Sequence, residues 1–241
     1  MRYFEAYRFY FDSPKWWMNL LLGAVCILVP IAGPMVLMGW AFELLERSPR
    51  GWQPGSDFDV NKLGKYIGRG VWPFLVQLVI ALPVTMVFVA LWFALILGTV
   101  ATMGPGAGAP RTFLIVFPSY IIGIVIISVF VQMVSLPMCL RAGIMNEFGP
   151  AFNVSWAVDF IKRTWAEMLL SILFFLVTSP FIALAGLILC CVGVYPAGAL
   201  ISMAHYHIWF QLYDLFLQRG GEPIPMKAQP ATDTQYYGKE N

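Results

Sequence analysis

Residues 16–46 limit the possible folds of this chain most strongly, because they are almost continuously apolar and are interrupted only near their centre. A single helix over these thirty-one residues would extend about 46 Å, whereas the hydrocarbon core of a bilayer is about 30 Å thick. Pro30, Gly33 and Pro34 lie at the midpoint and can break or turn the helix. The stretch therefore either crosses a membrane once or turns back as a short hairpin, whose halves would have about fourteen residues each.

The composition is that of a membrane protein. Hydrophobic residues make up 59% of the 241 residues and charged residues 12%, about half of the roughly 25% that is usual in soluble domains. The longest apolar runs do not alternate with polar positions, which favours transmembrane helices over a β-barrel. A net charge of +2 gives no reason to expect a nucleic-acid partner. The aromatic first residues, with Glu5 and Asp12, do not have the layout of a signal peptide.

We predict an all-α polytopic membrane protein with about six membrane-embedded helices, arranged as three helical hairpins. The first hairpin is expected to be short or re-entrant, and an interfacial amphipathic helix is expected before each hairpin. One membrane domain would cover residues 1–217, with pseudo-repeats at about 3–47, 57–140 and 151–217. Residues 218–241 are polar and rich in Gly, Pro, Gln and Thr, so we expect a flexible cytoplasmic tail there.

Two internal matches indicate the repeat. Residues 26–33 align with residues 191–198 and share Cys, Val, Ala and Gly. Residues 58–69 align with residues 152–163 and share Phe, Val, an aromatic residue, Ile and Arg. Both matches fall at equivalent places in a unit of interfacial helix, tryptophan anchor and hairpin with a Gly/Pro tip. The alternative is chance similarity between apolar segments.

Tryptophans and basic side chains mark the predicted membrane boundaries. The expected interfacial anchors are Trp16, Trp17, Trp72 and Trp165. Residues 57–69 and 152–163 are predicted as helices lying along the cytoplasmic surface, with apolar faces made by Phe58, Tyr66 and Ile67 and by Phe152, Phe160 and Ile161. Their expected contacts with anionic headgroups are Lys62, Lys65, Arg69, Lys162 and Arg163.

The distribution of Lys and Arg predicts the orientation. If residues 16–46 form a hairpin, the three tips share one side, which carries Arg111, and the other fourteen of the 15 basic residues lie on the opposite side. If the stretch spans once, the division is eleven against four. Both alternatives place the loops and the C-terminus in the cytoplasm, and the hairpin gives the greater asymmetry. We therefore expect a multi-pass protein of the bacterial cytoplasmic (inner) membrane.

The N-terminal half also resembles a known family. The stretch AYRFYFDSPKWWMNLLLGAVCILVPIAGPMVLMGWAFELLER has an aromatic start, then Asp12 with Trp16, an apolar run with Gly23, a break at Pro30 and a basic end at Arg47. Together with DFDVNKLGKYIGRGVWPFLVQLV, it resembles the prokaryotic family called domain of unknown function 4013 over about two thirds of the chain. The Asp–Trp spacing is one residue longer here. The resemblance implies a multi-pass membrane fold and carries over no site residue.

The last apolar helix carries the candidate functional residues. His207, Gln211 and Asp214 recur at spacings of four and three, so they share one helical face. Ionisable groups inside a membrane are costly and often functional. The structural alternative is a helix face packed against hydrogen-bond partners such as Gln132 or Asn19. His205 points away from His207, so the pair would not ligate one metal from a regular helix.

Other polar residues give weaker signals. Glu43 is expected as an acid at the membrane surface, and Cys26 and Cys191 occupy equivalent tip positions where a disulfide is conceivable but not predicted by spacing. Cys190 and Cys191 have no known metal-site spacing. Gly104 to Gly108 lacks the Lys-Ser/Thr of a phosphate-binding loop. We identify no catalytic residue, cofactor site or metal site.

Three function classes remain open from these features. The leading hypothesis is a non-enzymatic scaffold, assembly factor or accessory subunit of a larger membrane complex, whose partners are the lipid bilayer and other membrane proteins or further copies of the chain. The second is a small transporter or channel that uses the polar stripe of the last helix. The third is a membrane-embedded enzyme acting on lipid. A water-filled cavity that reaches His207 would favour transport, and a dry interior with an apolar outer groove would favour a scaffold. A bound headgroup beside two convergent polar residues would favour an enzyme.

Overall fold

The computed structural model describes residues 1–47, 57–103, 109–188 and 192–225. Within these ranges the chain is entirely helical, with seven α-helices and no strand. The helices are α1 (Glu5–Phe11), α2 (Trp16–Leu28), α3 (Ala32–Arg47), α4 (Leu63–Met103), α5 (Ala109–Met145), α6 (Val154–Ile188) and α7 (Val194–Gln218). Short 3₁₀ turns at Val60–Lys62 and Gly149–Phe152 precede α4 and α6. The predicted all-α class is confirmed.

Three segments in the described part of the chain are long and apolar enough to cross a membrane. They are Val60–Gly98, Phe117–Met145 and Val154–Ile188. With 41 residues, α4 would be about 62 Å long, well beyond the thickness of a hydrocarbon core. The prediction of a membrane protein with long apolar helices is therefore supported.

The chain breaks at the centre of residues 16–46, where the prolines were expected to act. The helix α2 ends at Leu28, and α3 begins at Ala32. Between them Ile31 has φ 72°, a left-handed conformation that is costly for a β-branched residue. A Cβ on Gly33 would collide with the carbonyl group of Cys26, so the tight turn requires glycine at that position.

Glycines allow α3 and α4 to cross at close range. A Cβ built on Gly39 would lie closer than 3.0 Å to the carbonyl oxygen of Tyr66, and one on Gly70 would lie equally close to the carbonyl oxygen of Met35. The two contacts are reciprocal, since each helix contributes one glycine that faces the backbone of the other. Such close approach of backbones through small residues is typical of helix pairs in membranes.

The predicted surface helices are wrong as separate elements, because both are the first turns of long helices. Residues 63–69 continue without interruption through Pro73 as α4, and residues 154–163 continue as α6. A proline removes one helical hydrogen bond, but a helix held by its neighbours can tolerate the loss. Here α3 packs against α4 through Gly70, and the Cys139 thiol of α5 donates to the carbonyl oxygen of Pro73 at 3.4 Å.

Two hydrophobic clusters meet at α7. One joins α7 to α5 and α6 and includes Phe160, Trp209 and Phe216. The other joins α7 to α1, α2 and α3 and includes Tyr10 and Trp40. Because α7 contributes to both clusters, its buried faces point to opposite sides, which leaves a narrow face for polar residues.

The distal parts of α4 and α5 contact each other but are otherwise exposed. Trp92 lies 4.6 Å from Tyr120 between ring centroids, and Gly123 accommodates the ring of Phe88. In the most apolar 18-residue stretch of α4, no residue is buried by the rest of the chain. In the corresponding stretches of α5 and α6, 17% of the residues are buried. We call the segment made by residues 78–98 and 117–130 the α4–α5 arm.

The start of the predicted tail is attached to the helices. The backbone N–H of Ile224 donates to the Tyr213 hydroxyl at 2.8 Å, and the Trp156 indole donates to the Glu222 carbonyl oxygen at 2.9 Å. Ile224 is buried in the first cluster. The first residues of the expected tail, up to residue 225, therefore pack against the helices, and residues 226–241 lie outside the described ranges.

Candidate functional site

A cavity with a volume of about 710 Å³ lies between α1 and the C-terminal half of α7. Its size falls in the range of small-molecule sites, which is about 300–1,000 Å³. We call it the α1–α7 cavity. It is lined by Met1, Arg2, Glu5, Arg8, Phe9, Asp12, His207, Gln211, Asp214, Leu215 and Gln218.

The polar stripe of α7 faces this cavity. His207, Gln211 and Asp214 all line it, as their spacing on one helical face requires. The neighbouring positions Ile208, Leu212 and Phe216 are almost fully buried in the cluster with α5 and α6. Packing of these apolar side chains therefore fixes the rotation of α7 and turns its polar face toward α1.

A hydrogen-bonded contact joins the stripe to the residues before α1. The backbone N–H of Arg2 donates to Gln211 Oε1 at 2.9 Å, and Gln211 Nε2 donates to the Arg2 carbonyl oxygen at 3.2 Å. Gln211 Nε2 also lies 3.0 Å from His207 Nδ1, and the His207 ring stacks on Phe9 with centroids 4.4 Å apart. One wall of the cavity is thus an ordered contact between α7 and the N-terminal segment.

The cavity carries charges of both signs. Arg2 and Glu5 form an exposed ion pair at 3.1 Å. By contrast, the side chains of Arg8, Asp12 and Asp214 make no hydrogen bond or ion pair with any residue in the described ranges. These three charges are therefore available to a ligand.

The opposite side of α1 packs on α6. Phe174 lies 5.2 Å from Tyr3 and 5.8 Å from Tyr7 between ring centroids, and the Tyr7 hydroxyl is 2.9 Å from Thr178 Oγ1. Burial raises the pKa of the Tyr7 phenol, so this group stays protonated near neutral pH and keeps a hydroxyl hydrogen for the bond. The helix is held on both sides and forms a fixed wall of the cavity.

His205 lies in a second, much smaller polar cluster. Its Nε2 is 3.1 Å from Gln132 Nε2 of α5, and its ring stacks on Phe175 of α6 with centroids 4.2 Å apart. A cavity of about 10 Å³, enough for roughly one water molecule, adjoins His205, Ser171 and the Trp209 indole. The Trp209 N–H is buried without a hydrogen-bond partner among the described residues. Gln132 therefore pairs with His205 rather than with the His207 stripe.

The N-terminal turn contains a buried polar cluster that the sequence did not reveal. Asn19 Nδ2 donates to Asp57 Oδ1 at 3.0 Å, and Asn19 Oδ1 accepts from the Phe58 N–H at 3.0 Å. Ser13 Oγ donates to Asp57 Oδ1 at 2.5 Å. Ser13 and Asn19 are each 1% exposed. The cluster attaches the start of α2 to the segment that leads into α4.

Some of the expected anchors and headgroup contacts are exposed, and others are packed or paired within the chain. Trp16, Trp17 and Trp165 are exposed, whereas Trp72 packs against the first cluster. Lys62 and Lys162 reach the surface, Lys65 pairs with buried Glu43 at 3.5 Å, and Arg163 pairs with Asp159 at 2.8 Å. The expected apolar faces are buried at Phe58, Tyr66 and Phe160, half-buried at Phe152 and Ile161, and exposed at Ile67.

Arg69, expected to contact a headgroup, is buried within the helix bundle. This side chain is only 9% exposed, because Tyr66, Arg69, Gly70 and Pro73 form the inward face of α4. Glu43, expected as a surface acid, is also buried, with 5% exposure. Cys26 is buried, and Cys190 and Cys191 lie outside the described residues, as do Gly104 to Gly108.

The charged residues of α1 were not predicted to line a cavity, although their spacing in the sequence indicates a shared face. Arg2, Glu5, Arg8 and Asp12 follow at spacings of three, three and four, so they occupy one helical face just as the α7 stripe does. Read alone, the segment suggested an amphipathic helix on a lipid surface. The pairing of the two stripes depends on tertiary packing between residues about 200 positions apart.

Three segments of the described chain that are long and apolar enough to cross a membrane indicate a membrane protein, and its charged cavity lies between α1 and α7. The chain belongs to the family described as "Protein of unknown function (DUF4013)", whose model matches residues 22–191. The predicted resemblance is therefore confirmed. The matched range leaves out the whole lining of the α1–α7 cavity. No curated protein and no solved structure matches the chain.

Proposed function

We propose that the protein is a non-enzymatic scaffold, assembly factor or accessory subunit of a larger membrane complex, and that the α4–α5 arm is the surface that holds the partner. The observation that carries this proposal is the absence of intramolecular burial along the most apolar window of α4. The arm is rigidly paired through Trp92, Tyr120 and Gly123, so it presents a preformed helical surface.

The proposed arrangement in the membrane follows the helix pairs. α2 with α3, α4 with α5, and α6 with α7 would form three hairpins, of which the first is short or re-entrant. The loops and the C-terminus would lie in the cytoplasm of a bacterial cell, with the exposed Trp16, Trp17 and Trp165 at the interface. Cysteine accessibility tests this arrangement. Val192→Cys should react with an impermeant reagent from outside, and Lys162→Cys should react only after the membrane is opened.

Copurification tests the scaffold role. The full chain is extracted from native membranes in mild detergent, and a variant with Met86→Ser, Leu91→Ser and Leu97→Ser on the arm is compared with the unmodified chain. These side chains are 65%, 65% and 67% exposed. A matched control replaces Phe181, Leu184 and Leu187, which are similarly exposed on α6. We expect a stoichiometric partner to be lost from the arm variant and retained in the control. Equal recovery in both variants would contradict the role of the arm.

A second candidate function is transport of a small polar solute or ion. The observation that favours it is the α1–α7 cavity, which reaches His207. Histidine titrates near neutral pH in water and often relays protons in transporters. Reconstituted vesicles carrying His207→Ala or His207→Gln would test this function. Loss of a measurable flux in both variants, with normal assembly, would establish transport and displace the scaffold proposal.

A further inference from the structure

We propose that the α1–α7 cavity binds the headgroup of a phospholipid that carries both a phosphate and a primary ammonium group, as phosphatidylethanolamine does. The proposal is independent of the partner on the α4–α5 arm. It rests on the volume of the cavity, on the three unpaired charges that line it and on the apolar surface beside it.

The charge arrangement points to a zwitterion. Arg2 and Glu5 neutralise each other at 3.1 Å, so the remaining charged side chains of the lining are Arg8, Asp12 and Asp214. One cation and two carboxylates suit a ligand with an anionic group next to a cationic one. The guanidinium of Arg8 would donate hydrogen bonds to the phosphate, and the carboxylates of Asp12 and Asp214 would accept them from the ammonium group.

The surroundings favour a lipid over a soluble zwitterion. Phe4 and Phe11 lie seven residues apart on a face of α1 that adjoins the face of Arg8 and Asp12, and they are 79% and 45% exposed. Trp16 contacts Phe11 with centroids 5.4 Å apart and is itself 40% exposed. Phe4 also touches Phe174 of α6 at one edge, with centroids 5.6 Å apart, but the strip stays largely exposed, and acyl chains would cover it. A headgroup in the cavity and chains along the strip account for both features.

The cavity is also preformed, which reduces the entropic cost of binding. Gln211 holds the backbone of Arg2 through two hydrogen bonds, and Phe9 and His207 stack to close the inner end. α1 is fixed from behind by the contacts of Tyr3 and Tyr7 with α6. Arg8 and Asp12 are therefore presented by a helix that is already docked.

Lipid titration of the purified full chain tests the proposal. Delipidated protein in detergent is titrated with 1-palmitoyl-2-oleoyl-phosphatidylethanolamine, with the phosphatidylcholine and phosphatidylglycerol of the same chains, and with free phosphoethanolamine. Bound ligand is counted by native mass spectrometry. We expect phosphatidylethanolamine to bind most tightly, because the trimethylated ammonium of phosphatidylcholine donates no N–H bonds and phosphatidylglycerol has no cation.

Variants locate the binding site. Arg8→Gln and Asp12→Asn should each weaken binding of phosphatidylethanolamine about tenfold, the size expected for loss of one charge-assisted hydrogen bond. Both side chains are exposed and unpaired, so their replacement leaves the fold intact. Lys162→Gln on α6 and Glu222→Gln after α7 replace exposed side chains that do not line the cavity. They are the matched controls and should bind normally. Unchanged binding in the cavity variants, or equal affinity for the three lipids, would overturn the proposal. Free phosphoethanolamine that binds as tightly as the lipid would also overturn it, in favour of a soluble ligand.

Discussion

The substitution Gly70→Ala tests the close crossing of α3 and α4. The added Cβ would lie closer than 3.0 Å to the carbonyl oxygen of Met35, whereas ordinary van der Waals contact begins at 3.4 Å. The obstacle is backbone in the first turn of α3, which cannot rotate away as a side chain can. The two helices must therefore separate along their length, and overpacking of this kind costs about 1–3 kcal/mol or more.

Gly68→Ala is the matched control for this prediction. It lies on the same helix two residues earlier, is exposed and has nothing within 4 Å of a built Cβ. The higher helix propensity of alanine should make this variant neutral or more stable by up to about 1 kcal/mol. The free energies of unfolding of the two variants should therefore differ by about 1–4 kcal/mol, with Gly70→Ala the less stable.

Unfolding of the full chain by SDS in mixed micelles, followed by circular dichroism, measures both values. Gly39→Ala should behave like Gly70→Ala, because its Cβ would meet the carbonyl oxygen of Tyr66. If Gly70→Ala and Gly68→Ala were equally stable, α3 and α4 would not cross at Gly70, and the reasoning would fail.

Three further predictions concern stability and the cavity. Asn19→Ala should lower the free energy of unfolding by about 1–3 kcal/mol in the same assay, because Asp57 and the Phe58 N–H lose a buried partner. A change below about 0.5 kcal/mol would show that the cluster is not formed. Ile31→Gly should raise the free energy of unfolding by about 1 kcal/mol, since glycine adopts φ 72° without steric cost. A loss of stability would show that the turn at Ile31 is not strained. Gln211→Leu should release the residues before α1, so that trypsin cleaves after Arg2 or Arg8 faster than in the unmodified chain. Equal cleavage rates would show that the two hydrogen bonds between Gln211 and Arg2 do not hold this segment.

Several parts of the fold follow from local patterns. The break near Pro30 was predictable because proline and glycine restrict the backbone wherever they occur. The shared face of His207, Gln211 and Asp214 follows from helical geometry alone, as do the opposite directions of His205 and His207. Long apolar runs likewise predict long helices without knowledge of their neighbours.

The features that were not predicted depend on contacts between residues that are distant in the sequence. The predicted separation of the surface helix at residues 57–69 from the hairpin that follows does not occur, because α3 and α5 hold α4 on either side of Pro73. Arg69 is buried for the same reason, although its charge predicts a surface position. The cavity required two stripes, on α1 and α7, to meet across nearly the whole length of the chain. The amino-acid sequence alone predicts which face of each helix is polar, but not which other helix that face contacts.

Site-specific photo-crosslinking in native membranes tests the central claim most directly. A photoreactive amino acid is placed at Leu91 on the α4–α5 arm or at Leu184 on α6, which are 65% and 57% exposed. The scaffold account predicts a discrete protein adduct of constant mass from position 91 and only lipid adducts from position 184. Lipid adducts alone at both positions would show that the arm faces the bilayer without a partner, and would contradict the proposed function.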